Sequence, residues 1–414
     1  MEMKKYKLGD LIDVSRGKSL AGEFYATSGN LVRLTMGNFD YINNCFKQNT
    51  SKDNLFFSGK VEEKFILNAG DIITPLTEQT PGLLGSTARI PESGKYIQSQ
   101  DVALVRCKKD KLDDGFAYYL ISSESVKKQL GAAAQQTKIR HTSPDKIKDC
   151  TVYIPEISIQ KKIGNILSTL DKRMENLRAQ NRVLEQTAKT IYDYTFLQCA
   201  GHQTTYNKTL NRNIPTNWEV KSVNQMAKSY RGVAYDKSDV QKENNGGILV
   251  LRGNNIQDNN LVYDGNVVYI PENLVEDNQH IKKGDIIMTM SSGSKEHIGK
   301  CTMFQYDSKH TYGAFLTKFT PNRECRYYFY MNLISDYFKA KIKSVCNGTG
   351  INNLTNQTFN EIFFPYPDSK TLDVFEKTVT PIFDKMGVNT KQIETLTTQR
   401  NTLLPLLMTG QVKV

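Results

Sequence analysis

The chain has few of the side chains that hold metals or cross-links. Its 414 residues include only five histidines, one tryptophan and seven cysteines. The cysteines (Cys45, Cys107, Cys150, Cys199, Cys301, Cys325, Cys346) are odd in number and scattered, with no Cys-x-x-Cys pair. That pattern points to buried free thiols rather than a disulfide framework or a zinc site. His141, His202, His280, His297 and His310 have no metal-ligand spacing either. No stretch approaches the roughly 18 apolar residues of a membrane span. The opening MEMKKYKLGD carries charge without a following apolar run, so no export signal is expected and the reading is cytoplasmic.

Catalytic signatures are missing too. There is no Asn/Asp-Pro-Pro-Tyr/Phe stretch for amino-methyl transfer, no Gly-rich cofactor loop after a strand and no Gly-x-Ser-x-Gly elbow. The nearest phosphate-loop imitation, Gly293 to Gly299-Lys300-Cys301, has one residue too many between its glycines and no Ser/Thr after the lysine. Acidic pairs such as Glu62-Glu63 and Asp113-Asp114 lie in polar runs and read as solvated surface. The expectation is a non-catalytic chain without a metal.

What is present is a folded, basic chain that repeats itself. Hydrophobic residues make up 39% and charged residues 23%, and the mean hydropathy is −0.49, the balance of a soluble protein of more than one domain. Lys plus Arg total 54 against 43 Asp plus Glu, a net charge of +11. Such an excess favours a polyanionic partner, either nucleic acid or an acidic protein. The two halves match in order. Arg16-Gly17 recurs as Arg231-Gly232, LVRLTMGNF (with Gly37-Asn38) as ILVLRGNNI (with Gly253-Asn254), and ILNAGDIIT as IKKGDIIMT. A Gly-Asp turn feeding an apolar strand is read in each copy, followed by a loop, a second strand, a Tyr/Phe/Lys-rich helix, a polar loop and a β-like exit at proline. This order predicts an α+β fold with two pseudo-symmetric recognition domains.

After Pro155 a heptad runs without proline to about Leu197. Its rows are Ile163, Leu170, Leu177, Leu184, Ile191 and Leu167, Met174, Asn181, Ala188. The C-terminal segment from Leu372 supplies Phe375, Ile382, Asn389, Leu396, Leu403 and Val379, Met386, Ile393, Arg400, Leu407. The first helix alone would be roughly 55 to 60 Å long, too long to be stabilised by one small domain. An antiparallel two-helix coiled coil is predicted, with Asn181 facing Asn389. The segmentation is then 1–155 and 218–368 for the two recognition domains, 156–200 and 369–414 for the helices, and 201–217 for a linker.

The duplicated Gly-Asp-Ile-Ile turns, the Arg-Gly segments, the proline exits and the paired long helices resemble the specificity subunit of type I restriction-modification systems, over essentially the whole chain. The resemblance implies double-stranded DNA as ligand, one half of a split target read per domain, and two modification (methyltransferase) subunits and restriction (motor-nuclease) subunits as partners. It also implies that S-adenosylmethionine and ATP are bound by those partners and that no cofactor binds this chain. Both exits depart from the family's pattern: YIPEISIQKKIGNIL has Ile159 before Gln160 where the family often has glutamate, and YPDSKTLDVFEKTV lacks the Glu-Gln pair altogether.

Reading base edges requires hydrogen-bonding side chains on presented loops. Three regions per copy qualify. The first holds Arg16, Lys18 and Ser19, with Arg231, Tyr235 and Lys237 as counterparts. The second holds Thr77, Gln79 and Thr80, against Ser292, Ser294, Lys295, His297 and Lys300. The third holds Gln135, Gln136, Thr137, Lys138, Arg140 and His141, against Asn347, Thr349, Asn352, Asn353 and Thr355. Arg33 and Arg252, in apolar strand contexts, read as structural. Two rival readings stay open from the residues alone: a coiled-coil scaffold or adaptor binding protein partners, and a stand-alone DNA methyltransferase or nuclease with unrecognised motifs.

Overall fold

The computed structural model describes residues 2–50, 52–78, 82–133, 140–198, 202–242, 246–257, 259–263, 267–293, 297–345 and 352–414. Short strands mix with helices in an α+β fold that divides into two compact units, Met1–Glu175 with Glu394–Val414, and Asn176–Ile393. Each unit therefore holds stretches of both long helices as well as a strand-rich domain. The described part of the expected linker, residues 202–217, is structured. It folds as a hairpin, Thr204–Asn207 with Arg212–Pro215, and buries Leu210 and Ile214 in the core of the second unit.

The two units repeat one topology. In the first, strands Ala88–Arg89, Ile72–Pro75, Val102–Cys107 and Ile12–Arg16 form an antiparallel sheet in that order. In the second, Cys301–Met303, Ile286–Thr289, Leu316–Pro321 and Ala227–Arg231 do the same. A further sheet in each pairs Val32–Arg33 in parallel with Tyr96–Ile97, or Ile248–Leu251 in parallel with Thr311–Tyr312. Lys4–Lys7 pairs with Thr151–Ile154, and Glu219–Ser222 with Phe363–Tyr366, which joins the start of each domain to its exit strand.

Local chemistry explains the repeated turns. Ile72–Pro75 and Ile286–Thr289 are buried at every residue, so their apolar runs need a sharp polar start. Gly70 and Gly284 supply it with φ of 88° and 92°. Asp71 and Asp285 then accept from the amides of Asn68 and Lys282 at 2.9 and 2.8 Å, closing the turn. The other aligned pair shifts by one position: Asn38, which accepts from Thr35 N at 2.9 Å, has its counterpart in Asn255, which accepts from Arg252 N at 2.9 Å, and not in Asn254. Arg33 is buried, stacked on Tyr25 at 3.9 Å and bonded to Asn54.

The long helices are Ile157–Tyr192, of 36 residues, and Ser369–Met408, of 40. Within each unit their contacts ascend one helix while descending the other, so they are antiparallel. In the first unit Lys162 reaches Val414, Asp171 pairs with Arg400 at 3.1 Å, and Met174 meets Thr397. In the second, Asn389 donates to Asn181 Oδ1 at 2.9 Å, Asn181 donates to Thr390 at 3.3 Å, and further along the rings of Tyr192 and Phe375 lie 6.2 Å apart. Ile163, Leu167, Met174, Leu177, Val379, Asn389 and Leu396 are buried, whereas Leu170, Asn181, Leu184, Ile191, Ile382, Met386, Ile393 and Leu403 are half-buried. Arg400 lies in the seam because Asp171 neutralises it, while the other oxygen of Asp171 accepts from Tyr119 at 2.6 Å.

Each domain also rests the start of a helix on its long helix, with different chemistry. In the first unit Gln160 Oε1 accepts from Asp113 N at 3.0 Å, beside helix Asp114–Ile121. A Cβ on Gly164 would come within 2.9 Å of Gly115, so the backbones touch there. In the second unit Glu376 accepts from the amides of Tyr327 and Tyr328 at 2.9 and 2.8 Å, in the first turn of helix Arg326–Ile334. Burial pushes the Glu376 carboxyl up to about 7, and the two amides and Arg326 only partly oppose it.

Asn389→Leu alone leaves the Asn181 amide short of a partner and should cost about 1 to 3 kcal/mol in thermal unfolding. The Asn181→Leu/Asn389→Leu double variant should recover that loss or exceed the wild type; a double variant less stable than the wild type would mean the pair is itself net stabilising. For Glu376, a folded pKa raised above the ordinary 4.5 means stability that is fully present below that value and lost as pH rises through about 7. Unfolding midpoints measured from about pH 5 to pH 8 should fall more steeply for the wild type than for Glu376→Gln. Equal slopes would refute the assignment.

Candidate nucleic-acid interface

In each unit one tight turn gathers the three candidate regions. In the second unit it is Gly313–Leu316, closed by Leu316 N to Gly313 O at 2.9 Å. The Arg231-Gly232 segment lies along it, with Gly232 N on Leu316 O at 3.3 Å and Val233 N on Tyr312 O at 2.8 Å. From its other side Met290 N donates to Phe315 O at 2.9 Å, and Leu354 N to Met290 O at 2.8 Å. Those two bonds anchor a two-residue pair, Ser291–Ser292 with Asn352–Asn353.

The first unit repeats the arrangement bond for bond. Val102 N closes the turn on Ser99 O at 3.0 Å, Gly17 N reaches Val102 O at 3.3 Å and Lys18 N reaches Gln98 O at 3.1 Å. Leu76 N bonds Asp101 O and Thr142 N bonds Leu76 O, both at 2.8 Å, beside the pair Thr77–Glu78 with Arg140–His141. The glycines are what permit it. A Cβ on Gly17 would lie 2.2 Å from Ser99 O, and one on Gly232 would lie 2.2 Å from Gly313 O. The repeated Arg-Gly is therefore an exposed arginine followed by a glycine that backbone contact requires.

Two stretches of the chain, residues 1–186 and 215–399, match the family model described as the type I restriction modification DNA specificity domain. The chain belongs to the type I specificity family. It is 23% identical to the type I restriction enzyme MjaIX specificity subunit of Methanocaldococcus jannaschii over 312 residues, 74% of this chain and 71% of that one. It is 20% identical to the HindI specificity subunit of Haemophilus influenzae, covering 99% of this chain and 100% of that protein. Its fold is similar to the crystal structure of a type I restriction-modification system S subunit from M. genitalium, with a TM-score of 0.59 and 18% identity over 99% of this chain and 96% of that one.

Within this specificity-family frame the candidate side chains separate by environment. Arg16, Ser19, His141, Arg231, Lys237, His297, Asn353 and Thr355 are exposed, and Lys18, Tyr235, Ser292 and Lys300 half-buried. Arg231 borders a cleft of about 570 Å³ lined also by Leu274, Glu276, Asn278 and Gln279. Some candidates have local work instead. Thr77 is buried, its strand paired with His141, and it presents no side chain. Arg140 is held at 3.2 Å by the buried Glu78, whose other oxygen accepts from the amides of Gly82, Leu83 and Leu84; Arg140 thus braces a loop. Thr355 bonds Thr358 at the start of helix Thr358–Glu361, Lys300 lies 3.2 Å from His297, Lys18 pairs with Glu62, and Arg16, though exposed, donates its Nε to Gln100 O at 2.8 Å. Gln79, Thr80, Gln135, Gln136, Thr137, Lys138, Ser294, Lys295, Asn347 and Thr349 lie outside the described residues, as does the side chain of Asn352.

The turn itself is not legible as a candidate in the sequence, since DVALVRC and AFLTKFT, which begin at its Asp101 and Ala314, read as the second strand of each copy. Only the hydrogen bonds to Leu76 and Met290 reveal that its corners stand among the other segments. Among the described residues no group of His, Cys, Asp and Glu could hold a metal ion, and no helix is long and apolar enough to cross a membrane. Gly17→Ala and Gly232→Ala should each lower stability by about 1 to 3 kcal/mol, because a carbonyl cannot move aside as a side chain can. Arg16→Ala and Arg231→Ala should stay within about 0.5 kcal/mol of wild type. Thermal unfolding of the four variants checks this, and equal effects at Arg and Gly would contradict it.

Proposed function

We propose that this chain reads a two-part double-stranded DNA target, one half per unit, and leaves methyl transfer and cleavage to partner subunits. The observation that carries the reading is the three-segment cluster, built twice on the same backbone bonds with different side chains at its surface. A shared scaffold with unlike surfaces suits two unlike half-sites, and the charge of +11 suits a polyanion. Membership of the specificity family supports the non-catalytic role.

In this reading two modification subunits dock on the long helices and restriction subunits join the same complex. S-adenosylmethionine is bound by the modification subunits and ATP by the restriction subunits, with no cofactor on this chain, and the complex works in the cytoplasm. Arg16 and Arg231 contact phosphate or base edges from corresponding places in the two units, and Ser292, His297, Lys300, Asn353, His141 and the candidates outside the described residues complete the two surfaces.

The test is to express the chain with its modification subunits and map methylated adenines genome-wide. A split motif with a fixed spacer is expected. Arg231→Ala should weaken DNA binding, lower the salt slope by about one if it contacts phosphate, and relax at most one half of the motif. Methylation by the chain alone would make it an enzyme, and no DNA binding by the complex would favour a protein adaptor; either overturns the proposal.

A further inference from the structure

Phe315 is the most exposed large apolar side chain in the described chain, at 70%, yet its backbone is anchored by hydrogen bonds. It is a corner residue of the Gly313–Leu316 turn, its carbonyl takes the amide of Met290 at 2.9 Å, and its neighbours Gly313 and Leu316 are buried. Gly232 lies against the same turn from the other side. The ring is therefore displayed on a rigid mount rather than left over on a loose loop. Leaving a phenylalanine in water forgoes a large burial energy, and nothing in the turn's own bonds requires a ring there. The equivalent turn of the first unit makes the same bonds with Gln100 and Asp101 at its corners.

Its neighbours indicate what it meets. The strand that ends at Arg231 pairs with the one that follows the turn, Arg231 opposite Thr317, and on the other side Met290, bonded to the Phe315 carbonyl, leads into Ser291 and Ser292, of which Ser291 pairs with Asn353. These are short hydrogen-bonding groups and a cation, the set that addresses base edges and phosphate. A single ring among them does not make the broad apolar patch that a protein interface needs. On the major-groove edge of DNA the one apolar group is the 5-methyl of thymine. Resting on the DNA-reading function proposed above, we propose that Phe315 is a specificity-determining residue of the second unit, laying its ring on the 5-methyl group of one thymine in its half-site. The first unit, with a polar corner, has no such rule at the corresponding position.

The experiment uses the complex of the full chain with its modification subunits. Its target is first defined by methylation mapping, and each thymine of the target is then replaced singly by deoxyuridine, which lacks only the methyl. One position, in one half-site, should weaken binding about fourfold, the worth of one buried methyl or methylene group. Phe315→Ala should weaken binding to the thymine target by a similar factor and be indifferent to deoxyuridine there, whereas Phe315→Leu should keep part of the preference. The two changes should not add. Being exposed, the ring can be removed without unfolding the unit, which a thermal midpoint verifies.

If wild-type complex has a split target but Phe315→Ala binds it unchanged, or loses equally on thymine and deoxyuridine, the Phe315 assignment falls while the DNA-reading function stands. A ring-dependent rise in 2-aminopurine fluorescence at one base step would show a wedge between stacked bases and likewise overturn the methyl contact. If wild-type complex shows no split target at all, the underlying function fails, and this inference with it.

Discussion

A backbone carbonyl facing a glycine sets the geometry of both units. Where Gly17 lies on Ser99 and Gly232 on Gly313, there is no room for a single carbon, so two chain segments approach as closely as hydrogen-bonded strands. That approach lets one tight turn bond to the Arg-Gly strand on one side and to Leu76 or Met290 on the other. Surface side chains far apart in the sequence are brought together as a result. The surface can then vary freely, because the bonds that place it run through main-chain atoms that every residue possesses.

The same division between frame and variable part appears in the helices. Their seam follows the heptad, but each unit breaks the apolar pattern with one polar contact of its own, Asp171 with Arg400 in the first and Asn181 with Asn389 in the second. Polar pairs inside a seam are costly when misaligned and tolerable when matched, so they oppose sliding more than they add stability. The helix starts tell a parallel story. Gln160 and Glu376 both satisfy amides at the beginning of a domain helix, one as a neutral amide and the other as a carboxyl that burial makes reluctant to ionise. Two copies of one architecture have thus kept the demand for a partner and changed the group that meets it.

Several polar residues that look available in a linear reading are occupied by the fold. Arg140 closes on a buried carboxylate that also holds three amides, Thr355 opens a helix, and Thr77 lies inside a strand pair. Polar composition of a loop therefore overstates its display, because turns and caps need the same hydrogen-bonding groups that recognition uses. An exposed ring on a rigid turn is the opposite case. Phe315 is invisible in composition because phenylalanine is ordinarily a core residue, and it directly precedes a strand that is buried except at Thr320.

The sequence by itself determined the duplication, the α+β class, the two long amphipathic helices and their seam, and the turns at Gly70 and Gly284. All of these rest on local rules, namely repeat order, the heptad period and the conformational demands of a Gly-Asp turn. The tertiary structure decided which polar residues are taken up by turns and caps, that residues 204–215 form a hairpin in the second core, that Asn255 and not Asn254 matches Asn38, and that a turn joins three distant segments. Those outcomes depend on contacts between residues far apart in the chain, and no local period or spacing encodes which carbonyl will meet which glycine.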